Sequence, residues 1–312
     1  MPNTNDVYVS APLTNFSIGY HPKGMVARQV FDVVPVVKES GEYFVWNRHD
    51  AARIPNSLRA DGAESNTLSF DLDSNGTYRT HEYALKTKIT DRNRENADSV
   101  LKLEQAKTMR VKDLVELGLE QRVATLLGTQ ANYASTNRVQ LSGVDQWNNA
   151  SFSGSIESRI DTGKEAIRQQ TLGLNPDVII IPSAVAKVIK RDPTIRELIK
   201  YTHADLLVDG DLPQKLWGMK VIIPTAVNVT TRKGASTQTI ADLWGKHVIM
   251  TVTNGGGMID VPTFGKILQR GQGVVRTWRK EELRSDLYEY GMETDEIITS
   301  NVAGYFIEDV IS

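Results

Sequence analysis

The stretch from Gly41 to about Ile89 constrains this chain most, because it reads as long, polar, extended strands with nothing of its own to bury them. Tyr43-Phe44-Val45-Trp46 is a strand by its aromatic and β-branched content. Leu68, Phe70 and Leu72 alternate with Ser69, Asp71 and Asp73, the period of a strand. Asn75-Gly76 signals a tight turn, and Thr77 to Ile89 is strand-like again. A hairpin of this length is marginal in water on its own. Its open edges invite pairing with another chain. The stretch is therefore expected to be an assembly arm that partners complete.

The rest of the chain is rich enough to fold. It has 312 residues, room for two domains, with 40% hydrophobic and 24% charged residues. A net charge of -2 argues against a protein that coats nucleic acid, since such binding neutralises many phosphates. Cysteine is absent, which removes disulfides, thiol nucleophiles and cysteine-ligated metals. The first residues lack the basic start and apolar run of a signal peptide. No run approaches the ~20 apolar residues of a membrane helix. The expectation is a soluble, cytoplasmic protein.

Residues 1–38 show no sustained period and are broken by Pro2, Pro12, Pro22 and Pro35, yet they keep Val7, Phe16, Val30 and Phe31. That is an arm docking on a surface, its own or a neighbour's. A long helix is expected from about Asn96 to Leu127, capped by Asn96 or Asp98 and stopped by Gly128. Leu103, Ala106, Val111, Leu114, Val115, Leu119, Val123, Leu126 and Leu127 form its apolar stripe. Lys112, Glu116 and Glu120 fall among the charged residues that fill the remainder. About 30 residues would make a rod of roughly 45 Å. Residues 155–255 alternate helix patterns with the apolar strands at 177–181, 219–223 and 247–252, a compact α/β block. Ser183 is read as the cap of a short helix, and Pro193 opens another. After Gly255-Gly256-Gly257, residues 274–311 read as successive antiparallel strands.

Few motifs point to chemistry. Asp71, Asp73, Asn75, Gly76 and Glu82 satisfy the spacing of a calcium loop. Such a loop needs a helix on each side, and both flanks alternate like strands, so a hairpin turn with acidic strands is the reading taken. His21, His49, His81, His203 and His247 include no pair at metal-ligand spacing. There is no G-x-S-x-G elbow, no phosphate loop and no dinucleotide fingerprint. Arg270, Arg276, Arg279, Lys280 and Arg284 surround Trp278, but Glu281, Glu282 and Asp286 interleave with them. The mixture of signs suggests a salt-bridged surface between subunits rather than a nucleic-acid patch.

The order of these parts resembles the major capsid protein of tailed bacteriophages. Three stretches carry the resemblance: Tyr83-Ala84-Leu85-Lys86-Thr87-Lys88-Ile89-Thr90-Asp91; Leu216-Trp217-Gly218-Met219-Lys220-Val221; and Ser285-Asp286-Leu287-Tyr288-Glu289-Tyr290 through Ala303-Gly304-Tyr305-Phe306-Ile307. The resemblance implies an α+β fold. Its parts are an N-terminal arm (1–38), a β-hairpin extended loop (39–90), a peripheral domain with a long spine helix (91–154), an α/β axial domain (155–255) and peripheral return strands (256–312). It implies no enzyme activity and no cofactor. It implies a homo-oligomeric virion shell of pentamers and hexamers, assembled in the host cytoplasm, enclosing double-stranded DNA without sequence-specific binding and without a membrane.

Some family members join a lysine of the extended loop covalently to a neighbour's asparagine. From Gly41 to Leu85 this chain has no lysine, so a non-covalent shell, or one held by decoration proteins, is expected. The arm begins almost at Met1, so the scaffold is expected to be a separate protein. Trp46, Phe70, Tyr78 and Trp278 are the expected interface anchors, with Arg276, Arg279, Glu281 and Glu282 as the charged contacts. The loops near His203–Gln214 and Arg232–Gln238 are expected around the symmetry axis. Two alternatives stand beside this reading: the shell of a bacterial encapsulin nanocompartment, and an α/β enzyme with an inserted arm.

Overall fold

The computed structural model describes residues 24–45, 73–96, 102–202, 212–253 and 262–312, with isolated positions among residues 8–17 and 54–65. Two sheets and one long helix organise these residues. The first sheet is built on two long strands, β13 (Gly265–Lys280) and β14 (Ser285–Ile298), paired antiparallel. The pairing is interrupted once, where the register shifts between Arg270 and Val274, and Gly271 takes a positive φ of 68° there. β5 (His81–Thr90) covers the far edge of β14.

The near edge of β13 is closed by the arm, on either side of the bulge. β2 (Asp32–Val36) runs parallel to residues 266–270, and β1 (Tyr8–Val9) pairs with Arg276 and Thr277. Pro35 is tolerated in β2 because that strand lies at the sheet edge. The arm thus docks on its own chain here. Val26, Ala27, Val30 and Phe31, around the short helix α1 (Ala27–Val30), are buried in the common core.

The second sheet has the order β6–β15–β12–β7–β9–β8. Its central strands are β7 (Val178–Ile180), β9 (Met219–Ile222) and β12 (Val248–Thr251), the three apolar runs of the 155–255 block. β8 (Lys215–Leu216) lies at one edge. The other edge is made by β15 (Gly304–Glu308) and β6 (Arg138–Gln140), which come from outside that block. α4 (Ile156–Gln170) packs on β15, with Ser155 capping it from its side chain to Ser158 N. α5 (Ser183–Ile189) and α6 (Pro193–Thr202) follow β7. Pro182, not Ser183, occupies the N-cap position of α5; Ser183 is already helical.

The long helix is shorter than its sequence pattern suggests. α3 runs Leu103–Leu127, 25 residues or about 38 Å. A separate short helix, α2 (Asp91–Glu95), is capped by Thr90, and Asn96 ends it rather than beginning the long one. Residues 97–101, including Asp98, lie outside the described residues. α3 packs across β14 and β5. Val111, Val115, Leu119, Val123 and Leu127 are buried, as their spacing requires. Beside them, Lys112, Glu116 and Glu120 are buried as well, against the sequence expectation, while Leu114 is 53% exposed.

Two further expectations change. Asn75-Gly76 forms no turn: both lie inside β4 (Asp73–Arg79), paired with β3 (Ser40–Val45). The calcium-loop pattern therefore has an extended strand through its middle, which cannot wrap a cation. Its first residue, Asp71, lies outside the described residues. Among the described residues no group of three or more His, Asp or Glu side chains is placed to hold a metal. Nor is any described helix long and apolar enough to cross a membrane. The glycines Gly255 to Gly257 also fall outside the described residues.

Candidate assembly surfaces

The two-stranded ribbon of β3 and β4 leaves the first sheet at Thr80. The Thr80 N–H and hydroxyl both donate to Glu39 O, at 2.8 and 3.2 Å. From His81 onward the chain becomes β5, so only the part before Thr80 lies outside the first sheet. Each strand of the ribbon presents a glycine to a tyrosine of the other. Gly41 sits opposite Tyr78, and Gly76 opposite Tyr43. A Cβ on Gly76 would lie 2.4 Å from the Tyr43 ring, so the glycine is what lets the ring lie flat across the strand. Tyr43 donates to Ile298 O at 3.4 Å, and Arg79 N donates to Asp295 Oδ2 at 2.9 Å. Burial and then the Asp295 charge push the Tyr43 phenol above its ordinary value. Tyr78 is half-buried. Trp46 and Phe70, the other two expected anchors on this ribbon, lie outside the described residues, as do His49 and the alternating run from Leu68. Ile54 and Leu58, both described, are almost wholly exposed.

The charged group around Trp278 is brought together by the β13–β14 pairing. Arg276 meets Glu82 at 3.2 Å and Glu289 at 3.4 Å. Arg279 holds Asp91 with two nitrogens, at 2.6 and 2.7 Å, and reaches Glu281 at 2.9 Å and Asp286 at 3.4 Å. The Arg279 hydrogen bond lowers the Asp91 carboxyl below its ordinary value, and the guanidinium is raised in turn. Glu282 pairs loosely with Lys280 at 3.8 Å. Trp278 is half-buried with the Lys86 ammonium 6.0 Å from its ring. The cations and anions of this surface thus satisfy one another within the chain.

A third surface is a free hairpin. β10 (Val227–Val229) and β11 (Ile240–Asp242) pair only with each other. Its loop carries Arg232 and Lys233, both exposed. Of the two loops expected around an axis, this one is described; the other, 203–214, lies outside the described residues up to Leu212. The apolar positions Val227, Val229 and Ile240 on this hairpin were not singled out in the sequence, although Val-Asn-Val has the alternation of a half-buried strand.

The arm's seat is polar. The Glu120 carboxylate accepts from Val26 N at 3.0 Å, Ala27 N at 2.8 Å and Trp244 Nε1 at 2.7 Å. Arg28 pairs with Glu116 at 3.3 Å and Gln269 at 2.9 Å. Lys112 donates to Ser17 O and lies 5.9 Å from the Tyr290 ring. One helix face therefore holds the arm, and at Trp244 also holds the segment that follows the free hairpin.

No protein-family model matches the chain. Among curated proteins it is 28% identical over 275 residues to the major capsid protein of Burkholderia phage BcepMu, covering 86% of each chain. It is 22% identical to that of Pseudomonas phage JBD67, covering 97% of each. By sequence, then, the chain is similar to phage major capsid proteins over most of its length. Among solved structures, a phage-related protein from Bordetella bronchiseptica RB50 matches with a TM-score of 0.74 at 21% identity, covering 97% of each chain. The capsid of cyanophage P-SCSP1u matches with a TM-score of 0.63 at 9% identity, covering 93% of this chain and 89% of that one. The SrpI encapsulin complex of Synechococcus elongatus PCC 7942 shares the fold with a TM-score of 0.54 at 11% identity, covering 91% of this chain and 87% of that one. The relatives by sequence are named as capsid proteins, not as enzymes.

Proposed function

We propose that this protein is a phage major capsid protein, the structural subunit of an icosahedral bacteriophage shell, assembling as pentamers and hexamers around double-stranded DNA. It acts in the virion after assembly in the host cytoplasm. The observation that carries the reading is near-full-length similarity to phage major capsid proteins. In this reading residues 1–38 are the arm, 39–90 the extended loop, 91–154 and 256–312 the peripheral domain, and 155–255 the axial domain. Trp46, Phe70, Tyr78 and Trp278 anchor contacts between copies, and the Arg276, Arg279, Glu281, Glu282 surface exchanges partners across them. Scaffold and decoration proteins join from outside the chain. The absence of lysine from Gly41 to Leu85 supports a shell held without covalent bonds through that loop.

The test is electron microscopy of the purified protein, with scaffold where needed. Closed shells that release double-stranded DNA when made in infected cells support the reading, and a chain that stays monomeric under all these conditions refutes it. The fold shared with an encapsulin favours one second reading, a nanocompartment around a protein cargo. Shells that contain a protein cargo and no DNA would establish that alternative.

A further inference from the structure

The free hairpin is inside out. In a hairpin resting on its own body, the apolar side chains face inward and the polar ones outward. Here Val227, Val229 and Ile240 are 47%, 54% and 66% exposed, while Asn228 and Ala241 occupy the less exposed face. The three apolar residues are contiguous, because Val229 pairs directly with Ile240 and Val227 lies two residues along the same strand. Only Asp242, opposite Val227, interrupts that face with a charge.

The charges at the two ends of the strip are opposite. Arg232 and Lys233 lie at the loop end, where the turn is closed by Ala235 N donating to Arg232 O and by Gly234 at a φ of 94°. Asp242 lies at the base. None of the three forms an ion pair with a described residue. A second hairpin laid face to face and pointing the other way would bring its Asp242 toward Arg232 and Lys233, twice over, with the apolar residues between. That layout is self-complementary, as a twofold contact requires.

We infer that the Val227, Val229 and Ile240 face is covered by the same face of a second copy of this chain, in antiparallel orientation. The choice of occupant rests on the shell-subunit reading. Three side chains are too few for a stable dimer by themselves, since specific interfaces bury on the order of 1,200–2,000 Å². The contact is therefore one that forms with others as copies assemble.

The absence of cysteine makes the test direct. Val229 and Ile240 sit near the middle of the strip, so a thiol there would meet its own counterpart. Ile240→Cys in assembled material should oxidise to a species of doubled mass on non-reducing gels, whereas Asn228→Cys, on the other face, should stay at single mass. Arg232→Glu with Lys233→Glu should abolish the Ile240→Cys cross-link, and adding Asp242→Lys should restore it. Assembled shells in which Ile240→Cys stays at single mass overturn the inference and leave the shell reading intact. If the wild-type chain makes no shell, that reading fails. The hairpin contact, which forms only as copies assemble, is then overturned with it, whereas shells that form without the Ile240→Cys cross-link overturn the contact alone.

Discussion

Trp244 donates its indole N–H to the carboxylate of Glu120 at 2.7 Å, inside the protein, where Glu120 also receives the backbone N–H groups of Val26 and Ala27. One buried side chain thereby joins three segments distant in sequence. Removing it strands three donors away from water, which is costlier than losing the bonds themselves. Glu120→Ala should therefore destabilise the chain by about 3–5 kcal/mol, read by urea unfolding.

The same carboxylate has a pH signature. Burial holds it above its ordinary value of 4.5, with Glu116 acting in the same direction and the three donors opposing. A carboxyl raised by folding contributes stability that is complete below the unfolded value. That contribution is lost as pH rises through the folded value. The melting temperature of the wild type should carry this downward component above pH 4.5, and Glu120→Gln should remove it.

His247 should titrate with the opposite consequence. Its ring lies against Phe306 with centroids 5.1 Å apart, and its Nδ1 accepts from Asp309 N at 3.3 Å. Burial lowers its value below 6.5, against the charges of Asp309 and Glu308. The unfolded chain binds the proton first, so stability from this group is present above pH 6.5 and falls as pH drops toward the folded value. NMR titration should place the imidazole below 6.5, and His247→Gln should flatten the loss of melting temperature on acidification.

Gly265 is fixed by contact rather than by turn geometry. A Cβ there would lie 2.5 Å from the Phe31 ring and 2.9 Å from the Ile297 carbonyl oxygen. Neither can yield easily, one being a wholly buried ring and the other paired backbone. Gly265→Ala should cost roughly 1–3 kcal/mol in equilibrium unfolding. Gly173→Ala, with nothing within 4 Å, lacks this contact penalty and serves as a control for strain, since its φ is 103°.

Arg122 ties α3 to the first sheet. It forms two bonds to Glu296, at 2.9 and 3.0 Å, and its guanidinium lies 3.6 Å from the centre of the Tyr83 ring. A lysine could keep the charge but not the planar fork or the stacking. Arg122→Lys should lose most of the stability lost in Arg122→Ala, about 1–3 kcal/mol, because Glu296 is nearly buried and needs its donors. Thermal unfolding of the two variants side by side checks this.

What could be read in the sequence depended on where each residue's partner lies. α4 was legible because Ser155 and the Ile156, Ile160 and Ile167 spacing are local. The long strands of the C-terminal part were legible from their own alternation. The burial of Lys112, Glu116 and Glu120 was not, because their partners Ser17, Arg28, Val26 and Ala27 come from the arm, roughly a hundred residues earlier. Asn75-Gly76 misled for a related reason: Tyr43, from the opposite strand, lays its ring over Gly76 and uses the glycine as a seat instead of a turn. At the candidate surfaces, the mixed charges near Trp278 were visible, but Asp91 and Glu82 as the partners of Arg279 and Arg276 depend on strand pairing.

The joint at Thr80, the one residue between β4 and β5, has a mechanical consequence. Residues before it belong to the ribbon and residues after it to the main sheet, with no slack between them. Glu39 grips Thr80 from one side, while Asp295 grips Arg79 from the other. Any displacement of the base of the ribbon would therefore reach β5 across one residue, and through β5 the long helix lying across it. The attachment of the ribbon to the main sheet is thus concentrated at one threonine and the arginine before it.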